Sequence, residues 1–326
     1  MGTRSNILFN PAARDAFLDA CRALDTQLSP VTASQAYGAI RAAVPNFRMR
    51  GTDQQLSYYD LFVIWHAASM ENRLSVGNSA HSGPIFLPWH RHFMLLLEQW
   101  MQQVLGDDDY GLPYWDWAAD GELPAAQQFR TQLFSAGFIG EARGSVFSGP
   151  LGEMRTRLRG TRFWDGTRWA SVVESGPALR IQRDAGNDIA TLPDQSDVRR
   201  AFDQPEYDVP PYTAGVQHGH RNLLEGWAPA GDAPALHNRV HVWVGGDMGP
   251  GTSPNDPIFF LNHCNVDRIW EAWMDDKGRR YRPAAGEAPT GHALDAVMFT
   301  LIGPARRPSG VLDVSEQYTY DSLDVF

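Results

Sequence analysis

The sequence predicts a mainly α-helical protein with long loops and a few short β-strands. The strongest observation is a pair of almost continuously apolar segments, residues 86–106 and 257–276, which are typical of buried helices. A third segment, residues 57–70, opens with a serine N-cap and an aspartate three residues later, a pattern that starts helices. Residues 121–215 contain scattered glycine and proline, so we expect mostly loop there.

Weaker patterns complete the prediction in chain order. Amphipathic spacing favours helices, clusters of Gly, Pro, Asn and Ser favour loops, and the C-terminal part from residue 278 on contains short β-like pieces. The predicted helices cover residues 11–28, 34–43, 57–70, 86–106, 196–202, 234–244 and 257–276, the loops cover residues 72–84, 228–235 and 249–257, and the strands cover Gly310–Val314 and Tyr318–Tyr320.

Composition narrows the class of protein. The chain has 326 residues, 43% of them hydrophobic and 20% charged, which is ordinary for a soluble globular protein, and one large domain over 1–326 is allowed. A net charge of -10 without a basic run argues against nucleic acid and anionic lipid as partners. Two cysteines, Cys21 and Cys264, exclude a disulfide framework and a Cys-rich metal site.

The apolar pattern also bears on location. The N-terminal residues lack the apolar core of a signal peptide, and no apolar run is long enough to span a membrane. We therefore expect a cytoplasmic protein. Export in a complex with a signal-bearing partner would leave no mark in this sequence.

The stretch HNRVHVWVGG contains the first sign of a metal site. His237 and His241 are four residues apart, which places both on one face of a helix. The zinc-protease signature has the same frame, but it puts a glutamate after the first histidine as general base. That position is Asn238 here, and an amide cannot take a proton from water.

The ten histidines include two sets of three, each drawn from two apolar helical segments. The sets are His66, His81 and His90, and His237, His241 and His263. Ligation by imidazole alone suits copper well, and also zinc, iron or nickel. A di-iron carboxylate site would need Glu-x-x-His pairs, and a blue-copper site would need a cysteine within a compact His/Cys/Met cluster. Neither pattern occurs.

Several motifs in the same order resemble the type 3 copper family of tyrosinases, catechol oxidases and o-aminophenol-oxidising relatives. The motifs are HSGPIFLPWHRHF, PYWDW, HNRVHVWVGG, SPNDPIFFLNHCNVDRIW and a late YTY. The resemblance implies a single tyrosinase-like copper domain over 1–326, with a central four-helix bundle that holds two copper ions. By the same resemblance, the first set of histidines binds one copper and the second set binds the other.

The implied activity is oxidation of phenols by O2: monophenols become o-diphenols, and o-diphenols become o-quinones. The resemblance assigns Glu225 and Asn238 to holding a water that takes the phenol proton. The alternative is a catechol or o-aminophenol oxidase without monophenol hydroxylation, and a copper-delivery or export partner protein is possible. An oxygen carrier and a zinc hydrolase are the competing classes. Turnover of catechol would separate an oxidase from the oxygen carrier, and Asn238 argues against the hydrolase, which needs one metal and a carboxylate base at that position.

The resemblance also predicts a substrate pocket and some departures from the family pattern. The pocket residues are Phe259, Met248, Gly251 and Val242. Asn262 stands where many bacterial members have a second histidine. Ser79 stands where fungal and plant relatives have a cysteine in a thioether bond to histidine, so we expect a more mobile His81. With no long extension after the YTY motif, we expect an open site. Asp267 is expected either to accept a hydrogen bond from a ligand imidazole or to form a salt bridge with an arginine. His92, His218, His220 and His292 are expected at the surface or in hydrogen bonds.

Overall fold

A computed structural model describes residues 1–164, 169–227, 233–284 and 286–326. Within these residues the chain is mainly helical, as predicted. The helices are α1 (Pro11–Thr26), α2 (Ala33–Ala43), α3 (Tyr58–Glu71), α4 (Phe86–Leu105), α5 (Trp117–Gly121), α6 (Ala125–Gln128), α7 (Gln195–Phe202), α8 (His220–Glu225), α9 (Leu236–Val244) and α10 (Ile258–Lys277). The strands are β1 (Gly2–Arg4), β2 (Leu28–Thr32), β3 (Met49–Gly51), β4 (Gln55–Ser57), β5 (Arg143–Ser145), β6 (Thr156–Trp164), β7 (Trp169–Leu179), β8 (Gln182–Asp184) and β9 (Tyr318–Tyr320).

The four helices predicted for the bundle are present as α3, α4, α9 and α10, and α1, α2 and α7 match the other predicted helices. The start of α3 is a capping box, because Ser57 Oγ accepts from the Asp60 N–H at 3.0 Å and the Asp60 carboxylate accepts from the Ser57 N–H at 2.8 Å. Phe93 of α4 joins three of the helices. Its ring lies 5.5 Å from Phe62 of α3 and 6.0 Å from Phe260 of α10.

A long hairpin contradicts the loop prediction for residues 121–215. Strands β6 and β7 pair antiparallel, and β7 also pairs parallel with β3. The hairpin leans on the loop before α10, where the Gly160 N–H donates to Thr252 Oγ1 at 2.8 Å. Among the hairpin residues whose side chains the structure describes, only Leu158, Val172 and Val173 are apolar and buried, so the two-residue period is weak in the sequence.

The C-terminal predictions have mixed outcomes. The strand predicted at Gly310–Val314 is wrong, because Pro308 starts a 3₁₀ helix over Pro308–Val311 instead. The strand at Tyr318–Tyr320 is confirmed as β9, which pairs parallel with β1 and so joins the two ends of the chain.

A buried charge cluster fixes this junction to the bundle. Asp267 of α10 ion-pairs with Arg91 at 2.5 Å and Arg4 at 3.1 Å, and both Tyr318 and Tyr320 donate hydroxyl hydrogen bonds to its carboxylate. The carboxylate of Asp267 therefore binds arginine and tyrosine side chains, so the structure confirms the salt bridge to arginine and not the hydrogen bond to a ligand imidazole. In the described parts of the chain, none of the helices combines the length and apolar character needed to cross a membrane.

Candidate metal centre

Six histidines lie in two groups of three. The first group is His66 of α3, His81 of the α3–α4 loop and His90 of α4, and the second is His237 and His241 of α9 and His263 of α10. Within each group, one ring nitrogen from every histidine lies within 4.8 Å of the others. These are the two sets that the sequence singled out.

The two groups face each other across the contact between α4 and α10. The imidazoles of His90 and His263 are stacked, with centroids 4.1 Å apart and ring planes 10° from parallel. Within the second group, the Nε2 atoms of His237 and His263 lie 3.1 Å apart. Nitrogens that share one metal at about 2.0 Å also lie roughly 3.3 Å apart when the geometry is tetrahedral.

Backbone carbonyl groups orient four of the six imidazoles. The pairs are His66 Nδ1 with Gly251 O (2.7 Å), His90 Nδ1 with Phe86 O (2.9 Å), His237 Nδ1 with Glu225 O (3.2 Å) and His241 Nδ1 with Met248 O (2.7 Å). A carbonyl oxygen only accepts, so each Nδ1 carries the hydrogen and each Nε2 keeps its lone pair. This outer contact fixes the tautomer of metal-binding histidines.

The ring nitrogens opposite these contacts fit a metal ion. Nε2 of His66, His90 and His241 is buried without a hydrogen-bond partner among the described residues, a state that proteins avoid. Burial lowers the pKa of His66 to about 3 and the pKa of His241 to about 4, so both rings are neutral at neutral pH. Neutral imidazole is the form that binds metal.

The donor atoms of both groups are imidazole nitrogens, and no thiolate takes part. Each group offers imidazole nitrogens alone, which suits copper and also zinc, iron or nickel. Cys264 lies beside His263, but its sulfur contacts the Leu112 carbonyl oxygen at 3.4 Å, and burial raises the pKa of its thiol to about 12. The thiol is therefore neutral and is not a ligand of the blue-copper kind.

Phe259 lies between the two groups. Its ring centroid is 4.2 Å from that of His263 and 4.9 Å from that of His66, and the residue is fully buried. Of the other predicted pocket residues, Val242 lies near the end of α9, and Met248 and Gly251 lie in the loop that follows it. Met248 and Gly251 contact histidines through their carbonyl oxygens, and Val242 is half-buried next to His241.

Glu225 at the end of α8 connects the two groups. Its carbonyl oxygen holds His237, and its buried carboxylate accepts from the Ser82 N–H at 2.6 Å, one residue after His81. Arg221 donates to the same carboxylate at 2.9 Å and also ion-pairs with Asp208 at 2.6 Å. Ser82 and Arg221 were not predicted as partners of Glu225, although Arg221 and Glu225 are spaced i, i+4 on one helix.

The twelve-residue separation of Glu225 and His237 is closed by a backbone contact. The Ala235 N–H donates to Gly226 O at 3.0 Å, which returns the chain to the end of α8. Of the loop predicted over residues 228–235, residues 228–232 lie outside the described residues.

Two asparagines next to the histidines in sequence have unsatisfied amides. Nδ2 of Asn238 is buried and meets no hydrogen-bond partner in the described chain, and neither amide atom of the fully buried Asn262 meets one. Among the remaining histidines, His220 Nδ1 contacts Ala201 O at 3.0 Å and His292 Nε2 contacts Val76 O at 2.8 Å.

This combination of a helical fold and paired histidine groups defines a class of proteins that the comparisons identify. Residues 56–276 match the family described as the common central domain of tyrosinase. The chain therefore belongs to the tyrosinase family, and it is a tyrosinase-like oxidoreductase of the copper phenol oxidase class. The family uses a dinuclear copper site, and the two histidine groups are compatible with two copper ions.

Relatives with the same sequence identity to this chain have different names. The tyrosinase of Streptomyces glaucescens is 34% identical over 270 residues, covering 81% of this chain and 89% of that protein. Grixazone synthase of Streptomyces griseus is also 34% identical, covering 74% of this chain and 81% of that protein. A polyphenol oxidase structure from Thermothelomyces thermophila shares the fold, with a TM-score of 0.69, 21% identity and coverage of 99% of this chain and 89% of that one.

Proposed function

We propose that this protein uses O2 to hydroxylate monophenols to o-diphenols and to oxidise o-diphenols to o-quinones. The observation that carries the proposal is the pair of facing histidine groups. We assign His66, His81 and His90 to one copper ion, and His237, His241 and His263 to the other. When bound, the copper pair would supply the redox chemistry between O2 and the phenol.

The chain would contribute geometry and a dry site to this reaction. Four imidazoles are locked by backbone carbonyls, so their free nitrogens are held in place before metal binds. We infer that Phe259, packed against both groups, supports the substrate ring, and that Met248, Gly251 and Val242 shape the approach to His241.

Removal of the phenol proton is assigned to Glu225 and Asn238. Burial raises the pKa of the Glu225 carboxyl from its ordinary value, and Arg221 partly offsets this, so the ionised carboxylate is a stronger base than one in water. The unpartnered Nδ2 of Asn238 offers a hydrogen bond. We propose that the two side chains hold a water that accepts the proton from the phenol oxygen.

The second candidate is a catechol or o-aminophenol oxidase that lacks monophenol hydroxylation. It would use the same six histidines. The relatives named tyrosinase favour the first candidate, whereas the equally identical grixazone synthase carries a different name. A copper-delivery partner and export with such a partner remain predictions from the sequence.

Oxygen uptake separates the two candidates. The copper-loaded protein is given a simple monophenol with a trace of catechol to reduce the coppers. We expect sustained uptake with quinone formation. Uptake that stops when the catechol is consumed would leave the second candidate and remove the assigned role of Glu225.

A further inference from the structure

The segment of residues 289–292 packs against the loop that carries His81. This segment lies beyond residues 56–276, the part of the chain that matches the family. The Ser75 hydroxyl donates to the carbonyl oxygen of Thr290 at 3.3 Å. Gly291 approaches so closely that a Cβ atom there would lie 2.8 Å from Cδ1 of Leu74. Residues 289–292 of the C-terminal part of the chain therefore contact and support the α3–α4 loop.

His292 makes the central contacts of this support. It is fully buried, and its Nε2 lies 2.8 Å from the Val76 carbonyl oxygen, while its Nδ1 accepts from the Ile85 N–H at 3.3 Å. Val76 offers only an acceptor and Ile85 only a donor at these points, so the hydrogen is on Nε2. One imidazole thus joins a residue five positions before His81 to a residue four positions after it.

The imidazole of His292 is itself held firmly. A Cβ atom at Gly83 would lie 2.5 Å from its Cε1 atom, so the ring rests directly on the loop backbone. The hydroxyl of Tyr281 donates to the His292 carbonyl oxygen at 2.8 Å. Contacts on both the ring and the backbone leave the side chain little freedom to leave the loop.

His81 depends on the shape of its loop more than the other ligands do. It sits outside a helix, and its Nδ1 is buried without a partner among the described residues, whereas His66 and His90 are each held by a carbonyl oxygen. Inside the loop, Asn78 Oδ1 accepts from the backbone N–H of His81 at 2.8 Å. Ser79 offers a hydroxyl that bonds to Ser69 O at 3.2 Å.

We propose that His292 is a positioning residue for His81: it ties both ends of the loop together and so holds the first histidine group in its metal-binding shape. The effect on copper rests on the proposed function, whereas the effect on the loop does not. The test therefore measures the two separately.

The experiment compares His292→Phe, which removes both ring nitrogens, with His292→Gln, which keeps one donor and one acceptor. Gly83→Ala is a second disrupting variant, because its methyl group would displace the imidazole without changing it. His220→Phe is the matched control, since His220 is an equally buried histidine bonded to a carbonyl outside the loop.

The stability of the α3–α4 loop is measured by amide hydrogen exchange of the copper-free proteins. We expect the backbone amides of Asn78 and His81 to exchange about tenfold faster in His292→Phe and Gly83→Ala than in the wild type, as the loss of one buried hydrogen bond predicts. We expect His292→Gln to recover most of the protection and His220→Phe to leave these amides unchanged.

Copper content after dialysis against a chelator reads the site. We expect wild type and His220→Phe to keep two copper ions per chain, and His292→Phe to keep about one. Unchanged exchange in both disrupting variants, or equal loss in His220→Phe, would overturn the positioning role. A wild type that binds no copper would instead refute the proposed function, and the exchange result would still decide the role of His292.

Discussion

At the scale of single residues, the proton-transfer role proposed for Glu225 can be tested by removing its charge. Glu225→Gln keeps an acceptor for the Ser82 N–H but removes the base. We expect kcat/KM for a monophenol to fall about a hundredfold, because general-base catalysis is worth that much, while catechol oxidation changes only a few-fold. Steady-state rates on both substrates check this.

Glu98→Gln is the matched control for this change. Glu98 is also a buried, ion-paired carboxylate, but it binds Arg4 at the joined chain ends. We expect the ratio of monophenol to catechol activity to be normal in this variant. An equal fall on both substrates in Glu225→Gln would mean that the residue only supports the fold.

The ligand assignment makes a simpler prediction for His263. His263→Ala removes one of three ligands from the second group and the ring that stacks on His90. We expect copper content to fall from two ions to about one per chain, with loss of phenol oxidation and a retained helical circular dichroism spectrum. Retained oxidase activity would refute the two-copper assignment.

The six histidines could be predicted from sequence motifs, but the contacts that orient their imidazole rings could not. The spacing of His237 and His241 on one helical face is visible in the sequence, and the structure brings the predicted sets together. The acceptors on Gly251 and Met248 are carbonyl oxygens, which every residue has. Such contacts leave no signal in side-chain identity, so these two residues were predicted only as pocket walls.

At the scale of elements, the turn between α8 and α9 places Glu225 beside His237. Gly226 has a φ of 84°, and a Cβ atom there would lie 1.7 Å from the Ala235 carbonyl oxygen. We expect Gly226→Ala to lower the free energy of unfolding by about 2 kcal/mol or more, because left-handed backbone alone costs a side chain 1–2 kcal/mol. Urea unfolding measures the loss.

Gly38→Ala provides the control for this turn. Gly38 lies inside α2, and a Cβ atom there would meet nothing within 4 Å among the described residues. Alanine is the better helix former, so we expect this variant to be slightly more stable than the wild type. Equal stability of Gly226→Ala and wild type would show that the turn tolerates a different backbone.

Elements with strong local signals were predictable, and the hairpin was not. The buried helices α4 and α10 carry long apolar runs, and α3 carries its capping box. Strand β6 instead contains arginine, threonine and glycine, strand β7 contains serine, glycine and proline, and β7 also pairs with distant β3. Pairing over such a separation is set by the tertiary fold rather than by local propensity.

At the scale of the whole molecule, the two ends of the chain close on the bundle that carries the two histidine groups. Arg4 ion-pairs with Glu98 of α4 and Asp267 of α10, and β1 pairs with β9. Asp267 is four residues after His263, so α10 carries both a member of the second histidine group and the centre of the charge cluster. The sequence offered the YTY motif but no spacing that could join residues more than 300 positions apart.

The burial of the histidines makes the copper-free protein less stable at acid pH. The pKa of His66 is lowered to about 3 in the folded state, against about 6.5 when unfolded. Below pH 6.5 the unfolded chain therefore binds a proton at His66 that the folded protein does not bind. The free energy of unfolding consequently falls as the pH falls from 6.5 towards 3. His66→Phe removes this proton, while Asp60, Asp120 and Asp247, whose pKa burial raises to about 6, act with the opposite sign and cancel in the comparison. Between pH 6.5 and 4.5, urea unfolding of chelator-treated samples should show the wild type losing about 2 kcal/mol more than His66→Phe. A difference that stays constant over this range would mean that the ring of His66 takes up a proton as readily in the folded protein as in the unfolded chain.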